Sequence, residues 1–168
     1  MAKWLVNEEM EGKQVLEMGC GSGYISIIAA RKGAKVIASD ISPIAVDAAK
    51  INTIINKIKN VECYCSDLFS NLEGKFDLIL FNAPFFHGEP TSLLDNNWMS
   101  KDGEVVSKFF KDAREYINPM GKVVITSSTL VNQDALKILI KESGFNIENV
   151  KTKNIIIEKF FLYECRAF

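Results

Sequence analysis

Gln14-Val15-Leu16-Glu17-Met18-Gly19-Cys20-Gly21-Ser22-Gly23 is the stretch on which the reading of this chain turns. A short apolar run ends in three alternate glycines, and Ile25 to Arg31 continues it with helical spacing. Glycines between a strand and a helix let the backbone turn sharply and let a ligand touch the main chain, while the helix N-terminus presents unpaired N–H groups. The next block, Lys35 to Ser39, is strand-like and ends at Asp40, 19 residues beyond Gly21. An acid at that place can accept hydrogen bonds from ribose hydroxyls. Strand, glycines, helix, strand and acid in that order point to a nucleoside-type cofactor.

Spacing decides which one. The dinucleotide fingerprint is G-x-G-x-x-G, whereas here the third glycine comes one residue early and Tyr24 stands where that pattern wants glycine or alanine. Glu17, two residues before the first glycine, would repel a pyrophosphate and suits a cofactor carrying an ammonium group.

Outward from this loop the chain alternates strand-like and helix-like blocks with no internal repeat. Ser42-Pro43 offers an N-cap followed by proline at the first helical position, opening a helix over Ile44 to Lys57. Val61 to Cys65 reads as the third strand. Phe76 to Phe81 is a fourth, apolar on both faces, as expected of a parallel strand covered by helices on each side. A helix over Val105 to Ile117, a strand over Lys122 to Thr126 and a helix over Gln133 to Ser143 follow. Phe145 to Val150 and Ile155 to Glu164 form the last two strands, with Lys151 to Asn154 as their turn and no helix between them. The expected fold is α/β: a Rossmann-like seven-stranded mixed sheet, mostly parallel, with a C-terminal antiparallel hairpin on its edge and helices on both faces. Between Ala83 and Asp102 there is little periodicity, and a loop of that length at the carboxyl edge of a strand is usually functional.

Composition bounds the rest. A chain of 168 residues is one domain's worth, expected to span 1–168. At 48% hydrophobic and 24% charged it fits neither disorder nor a coiled coil. Lys plus Arg number 20 against 21 Asp plus Glu, so no bulk positive field is available to hold nucleic acid. The four cysteines and single histidine form no cluster with metal-ligand spacing, so no metal is expected, and the thiols read as free and at least half-buried. The N-terminal residues contain no apolar signal region and no run is long enough to span a bilayer, so the expected location is the cytoplasm.

With these features the chain resembles the class I S-adenosylmethionine-dependent methyltransferases along nearly its whole length. The resemblance implies that Glu17, Gly19, Cys20, Gly21, Gly23 and Asn82 lie against S-adenosyl-L-methionine, that Asp40 holds its ribose and Ile41 touches its adenine, and that Asp67 and Leu68 in Ser66-Asp67-Leu68 lie at the adenine amino group. Asn82-Ala83-Pro84-Phe85 resembles the N-P-P-Y/F motif of enzymes that methylate nitrogens on planar groups, with Ala83 replacing the first proline. An amide or exocyclic nitrogen is a weak nucleophile because its lone pair is delocalised, and two acceptors gripping its hydrogens can turn that lone pair toward the methyl group. The Asn82 oxygen and the Ala83 carbonyl are the candidates. Pro84 biases Ala83 toward an extended conformation and Phe85 offers a flat face. His87 and Trp98 are candidates to line the acceptor pocket, although a lone loop histidine such as His87 is expected to be incidental and not catalytic.

Within this family the chain is most similar to the small HemK-like glutamine methyltransferases, which modify translation release factors, and some members of that branch require a small activator subunit. Asn82 to Gly88 also resembles the N-P-P-F-H-x-G stretch of ribosomal RNA enzymes, which makes an rRNA or tRNA base the alternative acceptor. A non-catalytic S-adenosylmethionine-binding subunit is the third reading. The upstream segment that closes over the cofactor in relatives is not recognisable in Met1 to Met10, although Trp4 and Leu5 fit the end of a helix packing under the loop.

Overall fold

The computed structural model describes residues 1–83, 86–87, 99–100, 104–155 and 158–168; residues 86–87, 99–100 and 155 are described by their backbone alone. The order is α1 (Ala2–Val6), β1 (Gln14–Met18), α2 (Tyr24–Arg31), β2 (Lys35–Asp40), α3 (Pro43–Ile55), β3 (Val61–Cys65), β4 (Phe76–Asn82), β5 (Phe86–His87), β6 (Met99–Ser100), α4 (Glu104–Tyr116), β7 (Ile117–Ser128), α5 (Gln133–Glu142), β8 (Phe145–Ile155) and β9 (Glu158–Ala167). Seven strands form one sheet in the order β3-β2-β1-β4-β7-β9-β8, and β5 and β6 pair separately as a two-residue parallel ladder. The first five strands run parallel, and β9 and β8 close the sheet antiparallel, which is the expected mixed architecture.

Alternation along the central strands divides the core in two. Val15, Leu78, Leu80 and Val124 face Trp4 and Leu5 of α1 and Ala29 and Ala30 of α2. Leu16, Met18, Ile79, Phe81, Val123 and Ile125 face Phe109 and Phe110 of α4 and Leu136 and Ile140 of α5. Helices therefore cover both faces, and the continuous apolarity of β1 and β4 follows. Phe109 is the hub of the second layer, with ring centroids 4.6 Å from Phe81, 5.2 Å from Phe110 and 5.5 Å from Phe69.

Three expectations are corrected. Lys151 to Asn154 are not the hairpin turn: they are paired within β8, Lys151 opposite Leu162 and Asn154 opposite Lys159, and the pairing runs on to Ile155 opposite Glu158. Lysines read as a turn because they are polar, yet an edge strand tolerates charge on its open side. The fifth parallel strand starts at Ile117 rather than Lys122, because Phe76 pairs with Ile117 and Leu78 with Lys122. Residues 118–121 bulge between those pairs, where Pro119 has no N–H to give, and Asn118 Nδ2 donates to Asp77 Oδ1 at 2.7 Å. Of the cysteines, Cys20 and Cys165 are buried and Cys63 is half-buried, but Cys65 is exposed because it lies at the end of the edge strand β3.

The helix expected over Ile44 to Lys57 forms over Pro43–Ile55, ending before Lys57, which has a positive φ, and Ser42 Oγ accepts from the Ala45 N–H at 3.4 Å. Its isoleucines do not enter the core. Val46, Ala49 and Thr53 are buried, while Ile44, Ile51 and Ile55 are 76%, 55% and 69% exposed along one stripe.

Candidate functional site

The sheet's order reverses between β1 and β4, and the site lies at the carboxyl ends of these strands, where open α/β sheets leave a crevice. Gly19, Gly21 and Gly23 all have positive φ, at 66°, 51° and 74°. Gly23 is the most constrained. It is the N-cap of α2, and a Cβ there would stand 3.0 Å from the Ala49 Cβ, so the absence of a side chain is what lets α2 start against α3. Asn52 of α3 ties the loop from the same side, donating from Nδ2 to the Ser22 carbonyl at 2.9 Å.

Two buried acids shape the loop from below. Asp40 Oδ2 accepts from the Gly21 N–H and Oδ1 from the Ser42 N–H, both at 2.9 Å, so this carboxylate fixes the glycine loop and the entry to α3 together. Glu17 is 5% exposed and accepts at Oε2 from the Ser26 N–H at 2.7 Å and from the Ser26 hydroxyl. Burial pushes the Glu17 carboxyl up to about 7; the bonds from Ser26 oppose this and the nearby Asp40 charge adds to it. No cation neutralises Glu17 among the described residues. Cys20 between the glycines is buried, and burial first, then the Glu17 and Asp40 charges, push its thiol far above the usual range. It acts as a small apolar filler.

The third predicted acid follows β3. Asp67 lies on a turn pinned by Ser66, whose hydroxyl donates to the Leu68 carbonyl at 2.8 Å and accepts from the Asn71 N–H at 3.0 Å. Leu68 adopts a positive φ of 49°, a conformation costing an L residue about 1 kcal/mol or more, held by this turn. Lys108 of α4 reaches Asp67 Oδ2 at 2.9 Å.

These segments enclose a cavity of about 550 Å³, within the range of small-ligand sites, with Glu17, the glycine loop, Asp40, Ile41, Asp67 and Leu68 in its walls. Met1 and Ala2 also line it, so the start of α1 supplies a wall that the sequence had left unassigned. Asn82, at the end of β4, lines this cavity and also a second groove of about 1030 Å³ between α1 and the C-terminal hairpin. Lys3, Trp4, Lys151, Lys153, Phe160 and Phe161 are among that groove's walls. Ala83 is buried beside Asn82. The Thr126 hydroxyl donates to Asn82 Oδ1. Pro84, Phe85 and Trp98 lie outside the described residues, and of His87 only the backbone is described.

The sequence reading named Glu17, Gly19, Cys20, Gly21, Asp40, Ile41, Asp67, Leu68 and Asn82, which the structure brings around one cavity, and Gly23 and Ala83, which do not line it. It missed Ser26, Asn52, Lys108 and Thr126, which lie 9, 30, 41 and 44 residues from their partners. Only Ser26, in the first turn of α2, carried a local signal.

A family model described as the methyltransferase small domain matches residues 2–157. The chain belongs to this methyltransferase family. It is an S-adenosylmethionine-dependent methyltransferase. A protein of Methanocaldococcus jannaschii, provisionally named a protein N5-glutamine methyltransferase, is 38% identical over 147 residues, covering 83% of this chain and 74% of that protein. The ribosomal RNA small subunit methyltransferase C of Haemophilus influenzae is 28% identical over 156 residues, covering 87% of this chain but only 44% of its own length. In structure, the Thermus thermophilus 16S rRNA N2 G1207 methyltransferase, solved with AdoMet and guanosine, superposes with a TM-score of 0.71 at 22% identity, covering 97% of this chain and 41% of that one. Among the described residues no helix of the methyltransferase is long and apolar enough to cross a membrane.

Proposed function

We propose that this methyltransferase modifies the side-chain amide nitrogen of a protein glutamine, with a translation release factor as its acceptor. The observation that carries the reading is Asn82, which lines both the small cavity and the larger groove and so stands where a cofactor and an acceptor would meet. The relationship to the Methanocaldococcus jannaschii protein supports a glutamine acceptor.

S-adenosylmethionine supplies a methyl group on a sulfonium, an electrophile that needs little acid–base help. The protein's residues hold and orient. The Glu17 carboxylate, buried without a cation, suits the cofactor's ammonium group. Asp40 accepts from ribose hydroxyls with the lone pairs left after Gly21 and Ser42. Ile41 covers the adenine, and Asp67 accepts from its amino group. Gly19, Cys20 and Gly21 let the main chain approach, and Leu68 lines the same cavity. On the acceptor side, Asn82 Oδ1 and the Ala83 carbonyl accept the two amide hydrogens. Orientation of this kind can lower a barrier by about 7 to 11 kcal/mol.

A small activator subunit fits the face formed by α3 and β3. The isoleucine stripe of α3 is exposed, and β3, which α3 contacts, pairs among the described residues only with β2, so an added strand can form on its outer edge. Lys3, Lys151, Lys153, Phe160 and Phe161 in the groove favour one second reading, an RNA base as acceptor.

Methyl transfer from labelled cofactor into a cell extract, split with nuclease and with protease, tests the acceptor. Label that survives nuclease and is lost to protease is the expected result, and label confined to RNA would overturn it. With Asn82→Ala, turnover should collapse while cofactor affinity stays within about twofold. Unchanged turnover would remove Asn82 from the mechanism.

A further inference from the structure

We propose that Thr126 is a positioning residue for methyl transfer, its hydroxyl holding the Asn82 carboxamide with one oxygen lone pair turned toward the acceptor nitrogen. The inference rests on the reading of Asn82 as the group that grips the acceptor. Asn82 and Thr126 are register partners in the parallel pair β4–β7, so their side chains rise together from one face of the sheet. Their environments differ. Asn82 is exposed at the mouth of both cavities, whereas Thr126 is buried and lines only the groove. An exposed asparagine has several rotamers and two near-equivalent orientations of its amide plane, and one of these would turn N–H groups toward the acceptor's own N–H groups. A hydroxyl donor at Oδ1 selects the other orientation. The carboxamide oxygen has two lone pairs, and with Thr126 occupying one, the second remains for the acceptor.

Thr126 is itself held firmly. A β-branched side chain on a strand has few χ1 choices, which fixes where its hydroxyl stands. β7 is flanked by β4 on one side and β9 on the other, with Thr126 opposite Leu162. Immediately beyond, Gln133 Nε2 donates to the Ser128 carbonyl at 2.6 Å and to Ser127 Oγ at 3.2 Å, and its Oε1 accepts from the buried Tyr163 hydroxyl at 2.8 Å. The end of β7 is thus braced by α5 and β9, and the hydroxyl transmits that rigidity to Asn82.

The test compares the full chain with Thr126→Val, which keeps the shape and removes the hydroxyl, and Thr126→Ser, which restores it. The acceptor is a recombinant translation release factor, with labelled S-adenosylmethionine. Thr126→Val should lower kcat by about 10- to 100-fold, the scale set by misplacing a reacting group by about 1 Å, while KM and the cofactor Kd stay within about twofold. Thr126→Ser should recover kcat to within a few-fold of the original. Turnover of Thr126→Val equal to that of the unmodified chain, or Thr126→Ser as impaired as Thr126→Val, would overturn the proposal. If the unmodified chain leaves the release factor unlabelled and labels RNA, the protein-acceptor reading fails, and the same three proteins are compared on the RNA, whose exocyclic amine needs the same grip. Without any acceptor, the side-chain amide signals of ¹⁵N-labelled Asn82 should be sharp in the unmodified chain and broadened in Thr126→Val. Identical spectra would count against the proposal.

Discussion

Replacing Glu17 by Gln should improve the fold and spoil cofactor binding, and both effects should depend on pH. Burial moves the Glu17 carboxyl from its ordinary 4.5 to about 7, a preference for the protonated form of roughly 3 kcal/mol. A carboxyl whose folded-state value lies above its unfolded one binds protons better in the native state, so native stability falls as pH rises from about 4.5 through about 7. Above that window the ligand-free protein carries a buried, uncompensated charge. Glu17→Gln removes it and still offers an oxygen to Ser26, so at pH 8 the variant should be more stable by about 1 to 3 kcal/mol and at pH 4 nearly equal. Binding should run the opposite way. A ligand ammonium stabilises ionised Glu17, so affinity for S-adenosylhomocysteine should rise up to about tenfold per pH unit below 7, with about half a proton released at pH 7. It should level off, then decline as the ligand's own amine deprotonates near about 8. Glu17→Gln should lose the acid limb and, at pH 7.5, bind about 10- to 100-fold more weakly. Calorimetry in buffers of different ionisation enthalpy counts the protons, and thermal melts from pH 4 to 8 follow stability. The same acid limb in both proteins, or a variant less stable than the original at pH 8, would refute the reasoning.

Asp40→Asn keeps the shape but presents one N–H₂ toward a backbone N–H now held by a carboxylate oxygen; it should cost about 1 to 3 kcal/mol of stability and weaken cofactor binding, both readable by denaturant unfolding and calorimetry. Gly23→Ala should destabilise the chain by about 2 kcal/mol, combining a positive φ with a Cβ 3.0 Å from Ala49. Ala49→Gly in the same chain should recover the steric part alone, and full recovery would show that φ does not matter there. Ile51→Ser with Ile55→Ser should change stability by no more than about 0.5 kcal/mol per site, since both side chains are exposed, as read by denaturant unfolding.

Local chemistry made much of this protein legible in its sequence. Glycines at 19, 21 and 23 encode three positive φ angles, and no other residue adopts such angles without strain. Ser42-Pro43 opens α3, continuous apolarity in β1 and β4 announces strands buried on both faces, and the acids at 17, 40 and 67 mark strand ends. Those signals are short-range, or repeat with a fixed period, and the chain carries them wherever it folds. The tertiary structure decided what depends on contacts between distant segments. The stripe of isoleucines on α3 turns outward because small residues, Val46, Ala49 and Thr53, face the sheet and the glycine loop. The lysines of 151–154 belong to a strand because β9 pairs with them. Met1 and Ala2 become a wall of the cavity once α1 packs beside α2. Most consequential is the meeting of Asn82 with Thr126 across 44 residues. The motif singles out Asn82, but only the register of two parallel strands determines which neighbour holds it in place, because strand pairing is set by the whole sheet and not by either strand's own residues.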